Sequence, residues 1–560
     1  MIIKLNLLLI LLPIVIRAQF NNELQTLGYN FWKWRACIQP ATMDDIPRIE
    51  RPENWTPDYS SAALKSIDVS YKDFNNQLIH INKNNFTRSD SVDYLCIKSA
   101  IERVNWEFNI LKLPQQNPDF YVQQTIGALY EILVQIKDWN DSSYKKLLNI
   151  INSIPLTIEN AKQNLIEPNA PFALIAIDNL SDIKQKLDKL NSDIPGISHT
   201  ALKNEFSISV SNAINSLEDY RLWLQTKLPL MKSKVSIGKN AYDYFLKRIA
   251  LVPYTVEELI NYARIEFNRA SAAEEFEKIK NKNLPAPKVF STIEDEINCA
   301  AANEVEIRNF ITAKELFTIP DWLKNYTLSS TPAYLSPLTF IGESDDFTSE
   351  SRLNENCVRY IVNPDISLPF FPRSLAIDPT PVIIHEGIPG HYFQLALSWK
   401  NENQLRRRFI DSGPNEGIAF YFEEMMLQMG FFDNRPYARE FIYKFMRLRA
   451  LRVEADIQLA LGNFSIDEAA KYLENYVPMD KESAISSAYF YAYNPGQAIS
   501  YQLGKIQVIK FLNDAKRKLG DKFVLKNFHD YIVRNGNVPI SLLRWEFLGL
   551  TDEVKQFFEN

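Results

Sequence analysis

A chain of 560 residues with 46% hydrophobic, 23% charged and 12% aromatic residues can bury a large core, which excludes the disordered and fibrous classes. A net charge of −6 without a basic run argues against nucleic-acid binding and leaves small polar substrates and peptides open. Length alone does not divide the chain, because enzymes built around one cleft often reach this size as a single unit.

The N-terminus reads MIIKLNLLLILLPIVIRAQF. Its apolar run, Leu5 to Ile16, is shorter than the roughly 20 residues of a bilayer-spanning helix, and Ala18 is a small residue suited to cleavage. This predicts a signal peptide over 1–18 and an exported mature chain, secreted or periplasmic, with an uncleaved anchor as the alternative. No later stretch is apolar for long enough to span, so no stable membrane insertion is expected. Four cysteines, Cys37, Cys96, Cys299 and Cys357, are too few for a disulfide scaffold, although one or two bridges could form in an oxidising compartment.

From there the texture is helix after helix. SVDYLCIKSAIERVNWEFNILKL, YVQQTIGALYEILVQIKDW and TVEELINYARIEFNRASAAEEFEKIK carry apolar residues three and four apart. Proline-rich breaks at 114–118, 168–171, 194–196 and 285–287 separate such segments. Between about 328 and 384 short runs rich in β-branched and aromatic residues, SSTPAYLSPLTFIG and NCVRYIVNPD, predict a small sheet. The expectation is a mainly α protein, a large helical scaffold around a deep cleft, with a small antiparallel β-sheet beside the metal-binding helix. It treats 19–560 as one unit, with a helical part to about 327 and a catalytic part over about 328–560.

The sheet region runs into HEGIPGH, residues 385–391. A zinc hydrolase needs three protein ligands, one position left for water and a carboxylate beside it. His385 and Glu386 supply a ligand and an adjacent carboxylate. The second histidine stands six residues on rather than four, about 240° around a straight helix instead of about 40°, so a regular helix cannot bring both imidazoles to one ion. Pro389 lacks an N–H, Ile388 before it is pushed from helical geometry, and Gly390 accepts unusual backbone angles. A bulge or break at 388–390 is therefore expected, and it would swing His391 back towards His385. Glu416, following the helix-start sequence Gly413-Pro414-Asn415, is the candidate third ligand. Glu423, seven residues on and on nearly the same face, could hold a ligand from behind. Taken singly, a His-Glu pair is more often a solvated helix surface, and a Glu after Pro-Asn is more often first-turn charge.

HEGIPGH, NEGIAFYFEE, YNPGQAISYQLGK at 493–505 and FHDYIVRNGNVPISLLR at 528–544 occur in the order and spacing of the DUF885 family. That family resembles a gluzincin-like branch of the HExxH zinc peptidases, with the motif written H-E-x-x-P-G-H. RACIQPATMDD, SLEDYRLWLQTKLP and RSLAIDPTPVIIHEGIPGHYFQ extend the resemblance over nearly the whole mature chain. It implies Zn2+ held by His385, His391 and Glu416, Glu386 as general base, and Tyr501 as the donor to the developing oxyanion. Gln497, Lys505, Asp456 and Glu423 are the implied substrate or supporting contacts. Tyr392, Ile418 and Ala460 depart from the family pattern, none at a proposed ligand. Residues alone leave cobalt or manganese open in vitro.

The other candidates are weaker. His529 reads as a core or capping residue, and His80 and His199 as surface. Arg447, Arg449 and Arg452 either meet a substrate carboxylate or line a helix, with Arg452 paired to Asp456 four residues on. The combined expectation is a secreted zinc metallopeptidase acting on short peptides, gripped by edge pairing along the strand CVRYIVN. A zinc amide or acyl hydrolase on another substrate, and a non-catalytic binding protein, are the alternatives.

Overall fold

The structure, a computed structural model, describes residues 21–42, 49–197, 201–342, 344–558. The expected signal peptide and His199 lie outside the described residues. No described helix is long and apolar enough to cross a membrane. All four cysteines are free thiols, so the bridges considered from composition do not form.

The fold is mainly α. Its elements include α1 (Asn22–Ile38), α2 (Arg88–Asn105), α3 (Asp141–Asn164), α4 (Lys203–Lys227), α5 (Val256–Asn281) and α6 (Ile293–Ala313). Local chemistry sets several starts. Thr87, Asn140 and Thr255 each cap a helix reciprocally with the residue three positions on, satisfying orphan N–H groups of the first turn. The prolines expected as breaks act as helix starts at 114 and 118, where a missing N–H costs nothing.

Three strands follow: β1 (Tyr326–Ser330), β2 (Asp345–Asp346) and β3 (Cys357–Ile361). Their order is β1-β3-β2, with β1 parallel and β2 antiparallel to β3. The sheet is thus mixed rather than antiparallel. The strand expected to grip a peptide by its edge is the central one, flanked on both sides, so its ladder is already occupied. The sequence pattern identified the strand but not its neighbours, because pairing is decided by distant segments.

The remaining frame is α7 (His391–Trp399), α8 (Ser412–Gln428), α9 (Pro436–Leu461), α10 (Ser500–Leu519) and α11 (Leu525–Arg534). The main apolar core joins residues from Leu24 to Phe557, and Arg406 binds Asp93 of α2 at 2.7 Å, so packing crosses position 327 freely. Helices α8 and α10 meet through facing glycines. A Cβ at Gly417 would lie 2.3 Å from the Cα of Gly504, and one at Gly504 would lie 2.3 Å from the Gly413 carbonyl oxygen. Gly504→Ala should force the helices apart and cost about 1–3 kcal/mol in denaturant unfolding, and an unchanged midpoint would show that the contact is slack.

Candidate metal centre

The HEGIPGH segment folds as its local sterics dictate. Residues Ile383–Gly387 form a wide π turn closed by the Ile388 N–H donating to the Ile383 carbonyl at 3.0 Å. Ile388 is extended, with φ −128° and ψ 124°, and the Ile388–Pro389 peptide is cis. A new helix, α7, then starts at His391. The break stands where it is expected. Gly390 is required for a further reason: a Cβ there would lie 1.7 Å from the His385 carbonyl oxygen. Gly387 is tight too, its Cβ position being 2.7 Å from the ring of Tyr326 on β1.

This geometry brings the two imidazoles together, with ring centroids 4.7 Å apart. Helix α8, started by the Asp411 side chain accepting from Gly413 N–H, lays Glu416 against both. His385 Nε2 is 3.3 Å and His391 Nε2 3.4 Å from Glu416 Oε2. The donor atoms of the three residues all lie within 4.8 Å of one another. His385, His391 and Glu416 are 6%, 2% and 0% exposed, so a carboxylate and two imidazoles are withdrawn from water at one point. Such burial is costly without a compensating cation.

The separations discriminate between two kinds of compensation. A charge-assisted hydrogen bond from imidazolium to carboxylate would close to about 2.7–2.9 Å. Ligand atoms about 2.0–2.2 Å from one tetrahedral zinc stand about 3.3 Å from each other. The observed 3.3 and 3.4 Å fit the second arrangement. The far side of the His385 ring shows the contrast: its Nδ1 is 2.6 Å from Glu423 Oε1, a hydrogen-bonding distance. Burial disfavours the Glu423 anion, but Arg449 and the His385 ring outweigh it and hold the carboxyl below its ordinary range. Arg449 Nη1 donates to Glu423 Oε2 at 2.9 Å. The carboxylate behind a ligand imidazole fixes the ring and raises its basicity. His391 Nδ1 is buried without a hydrogen-bond partner among the described residues.

Glu386 stands just outside the trio. Its Oε2 is 3.9 Å from His391 Nε2 and its Oε1 3.8 Å from Arg359 Nη1. Arg359 projects from the central strand and also pairs with Asp345, which accepts from the Tyr326 hydroxyl at 2.7 Å. Tyr501, at the start of α10, stacks on His385 with centroids 6.2 Å apart and planes 10° from parallel. Arg452 lies 4.8 Å from the Tyr501 ring centre.

Other sequence candidates sit elsewhere. Lys505 is fully buried, yet it binds Glu266 and Glu424 at 2.7 and 2.9 Å rather than the trio. Asp456 accepts from the Tyr242 hydroxyl and from the N–H groups of Gly496 and Ala498, shaping the turn before α10, and burial pushes its carboxyl up to about 7. Gln497 is buried in that same turn. Arg447 binds Glu274. Sequence reasoning read Arg449 as either a substrate contact or a helix-lining residue, and the Tyr326, Asp345 and Arg359 group carries no signal in spacing.

His80 is exposed, as expected. His529 is a core residue: Nδ1 donates to the Leu316 carbonyl at 3.0 Å, leaving Nε2 to accept from the Tyr421 hydroxyl at 2.9 Å. Burial pushes its pKa down to about 4 from the usual 6.5. The unfolded ring takes a proton near pH 6.5 while the folded ring resists until about 4, so stability falls as pH drops through that window. This ring should cost on the order of 3 kcal/mol between pH 7 and 4. Denaturant midpoints should show a shallower acid limb in His529→Gln, and an unchanged limb would contradict this origin.

Comparison with known proteins adds a family and a fold. Residues 349–546, which contain the whole cluster, match a family described as "Bacterial protein of unknown function (DUF885)". That match spans less of the chain than the resemblance in the sequence motifs. No curated protein matches the chain. Among solved structures, a "putative lipoprotein of unknown function" from Shewanella oneidensis superposes with a TM-score of 0.72 at 17% identity, covering 95% of this chain and 100% of that one. A "putative lipoprotein" from Colwellia psychrerythraea gives 0.74 at 15%, covering 94% and 97%. The chain therefore shares the fold of these two proteins over 95% and 94% of its length, and its cluster lies in the part that resembles the DUF885 family.

Proposed function

We propose that this protein is an exported zinc-dependent hydrolase that cleaves peptide bonds in short peptides. The observation that carries the reading is the set of 3.3 and 3.4 Å separations between two imidazoles and one buried carboxylate, spaced as ligands of one ion. Bound between His385, His391 and Glu416, zinc would supply a Lewis acid that acidifies water and polarises a carbonyl. Glu386, beside the trio but outside it, would take the proton from the attacking water and deliver it to the leaving amine. Arg359 Nη1 lies 3.8 Å from Glu386 Oε1, close enough for charge attraction though beyond a hydrogen bond. The Tyr501 hydroxyl would donate to the carbonyl oxygen as it gains charge. Glu423 and Arg449 keep the His385 ring in one orientation. Export is supported by the N-terminal apolar run and by the "putative lipoprotein" descriptions of the two fold neighbours.

A peptide library incubated with the purified protein and read by mass spectrometry tests this reading. New peptide termini should appear, vanish with a chelator and return with zinc. Intact peptides alongside hydrolysed N-acyl amides would transfer the chemistry to a non-peptide substrate, since metal and fold do not fix the substrate.

A further inference from the structure

Helix α5 (Val256–Asn281) carries apolar residues on two sides. One side lies inside the molecule: Val256, Leu259, Ala263 and Ala270 are buried, and Arg264, Glu274 and Glu277 pair with Glu454, Arg447 and Arg439 of α9. The other side holds Tyr262, Ile265, Phe276 and Ile279, which are 36%, 63%, 63% and 56% exposed. These four are the exposed large apolar side chains of α5. Single exposed apolar residues are ordinary, but here all of them fall on one stripe about 26 Å long.

The stripe reads Tyr262, Ile265, Arg269, Ala272, Phe276, Ile279, in steps of three, four, three, four and three residues. That is the a and d spacing by which helices pack knobs into holes. The steps are the same read from either end, so the stripe complements itself when a second copy runs antiparallel. Tyr262 of one copy then meets Ile279 of the other, Ile265 meets Phe276, and Arg269 meets Ala272. The centre brings no loose charge, because Arg269 binds Glu266 and Glu424 at 2.8 Å each, and Ala272 leaves room for its stem.

Charges at the two ends favour the same direction. Glu257 and Glu258 open the helix, and the exposed Lys280 and Lys282 close it, Lys280 also reaching Glu277 of its own helix. Antiparallel copies set an acidic start against a basic end, whereas parallel copies would set like against like.

We propose that α5 is a self-association surface, through which two copies of this chain pair antiparallel about a two-fold axis near residues 270 and 271. Each layer then occurs twice, as an isologous interface requires. Pairing does not depend on the hydrolase reading, since no residue of the stripe belongs to the metal trio.

Sedimentation equilibrium of the purified mature protein over a concentration series should show a reversible monomer–dimer equilibrium. Ile265→Glu and Phe276→Lys should each weaken it at least about tenfold while keeping the wild-type melting temperature, because both positions are more than half exposed. An equimolar mixture of the two variants should associate more tightly than either alone. In the mixed dimer one Ile265–Phe276 layer pairs the two introduced opposite charges, and the other layer stays native. A monomeric wild type, a dimer untouched by either variant, or a mixture without recovery would overturn the proposal. Monomeric wild type that cosediments with phosphatidylglycerol vesicles would assign the stripe to a lipid surface instead. If either variant does not fold, Tyr262→Glu with Ile279→Lys, in the outer layer, is judged by the same recovery.

Discussion

Gly390→Ala is expected to destabilise the protein by about 3 kcal/mol or more and, under the proposed zinc centre, to remove most of the zinc. The added methyl would sit 1.7 Å from the His385 carbonyl oxygen, with the His385 carbonyl carbon at 2.4 Å and the Ile384 oxygen at 2.5 Å. All three are backbone atoms, so no rotamer change relieves the overlap and the π turn itself must move. That turn carries His385 and Glu386, and the displaced residue precedes His391, so one substitution shifts every element of HEGIPGH. Gly413→Ala is the milder comparison: its nearest contact is the capping Asp411 side chain at 3.0 Å rather than backbone, so one cap hydrogen bond is disturbed and the π turn is not. Thermal melting with metal analysis of both variants checks this. Full metal retention by Gly390→Ala would mean that the loop tolerates another path.

The second large effect is expected at Glu386. Under the proposed hydrolysis, Glu386→Gln should lower turnover by about 10²–10⁴-fold, the usual contribution of a positioned general base. Metal content should stay at the wild-type level, because the Glu386 carboxylate lies 3.9 Å from His391 Nε2 and outside the buried trio. Glu416→Gln should instead lose metal and activity together. Steady-state cleavage of a library-derived peptide, with metal measured on the same samples, separates the two. Loss of metal in Glu386→Gln would place its carboxylate among the ligands rather than beside them.

What the sequence made legible was local. Pro389 and Gly390 act on their immediate neighbours, so the break before His391 could be deduced from backbone sterics, as could the placing of Glu416 and Glu423 on one helix face. What escaped depends on pairing across the fold. Arg449 reaches Glu423 because α9 runs beside the cluster, and Arg359, on β3, reaches Glu386 from a segment distant in sequence. Lys505 shares a helix with Tyr501, yet its charge is drawn to Glu266 of α5 and Glu424 of α8. The strand CVRYI was recognisable by composition, whereas its central position required knowing where β1 and β2 would lie. The resemblance in the motifs implied His385, His391 and Glu416 as ligands, and the packing brings these three side chains together.

Metal analysis of the purified mature protein by plasma mass spectrometry, wild type against His391→Ala, tests the central claim most directly. The account predicts about one zinc per wild-type chain and loss of that zinc in the variant. Wild-type protein purified without chelators that carries no metal, or a variant that keeps its zinc, would contradict a centre built from His385, His391 and Glu416.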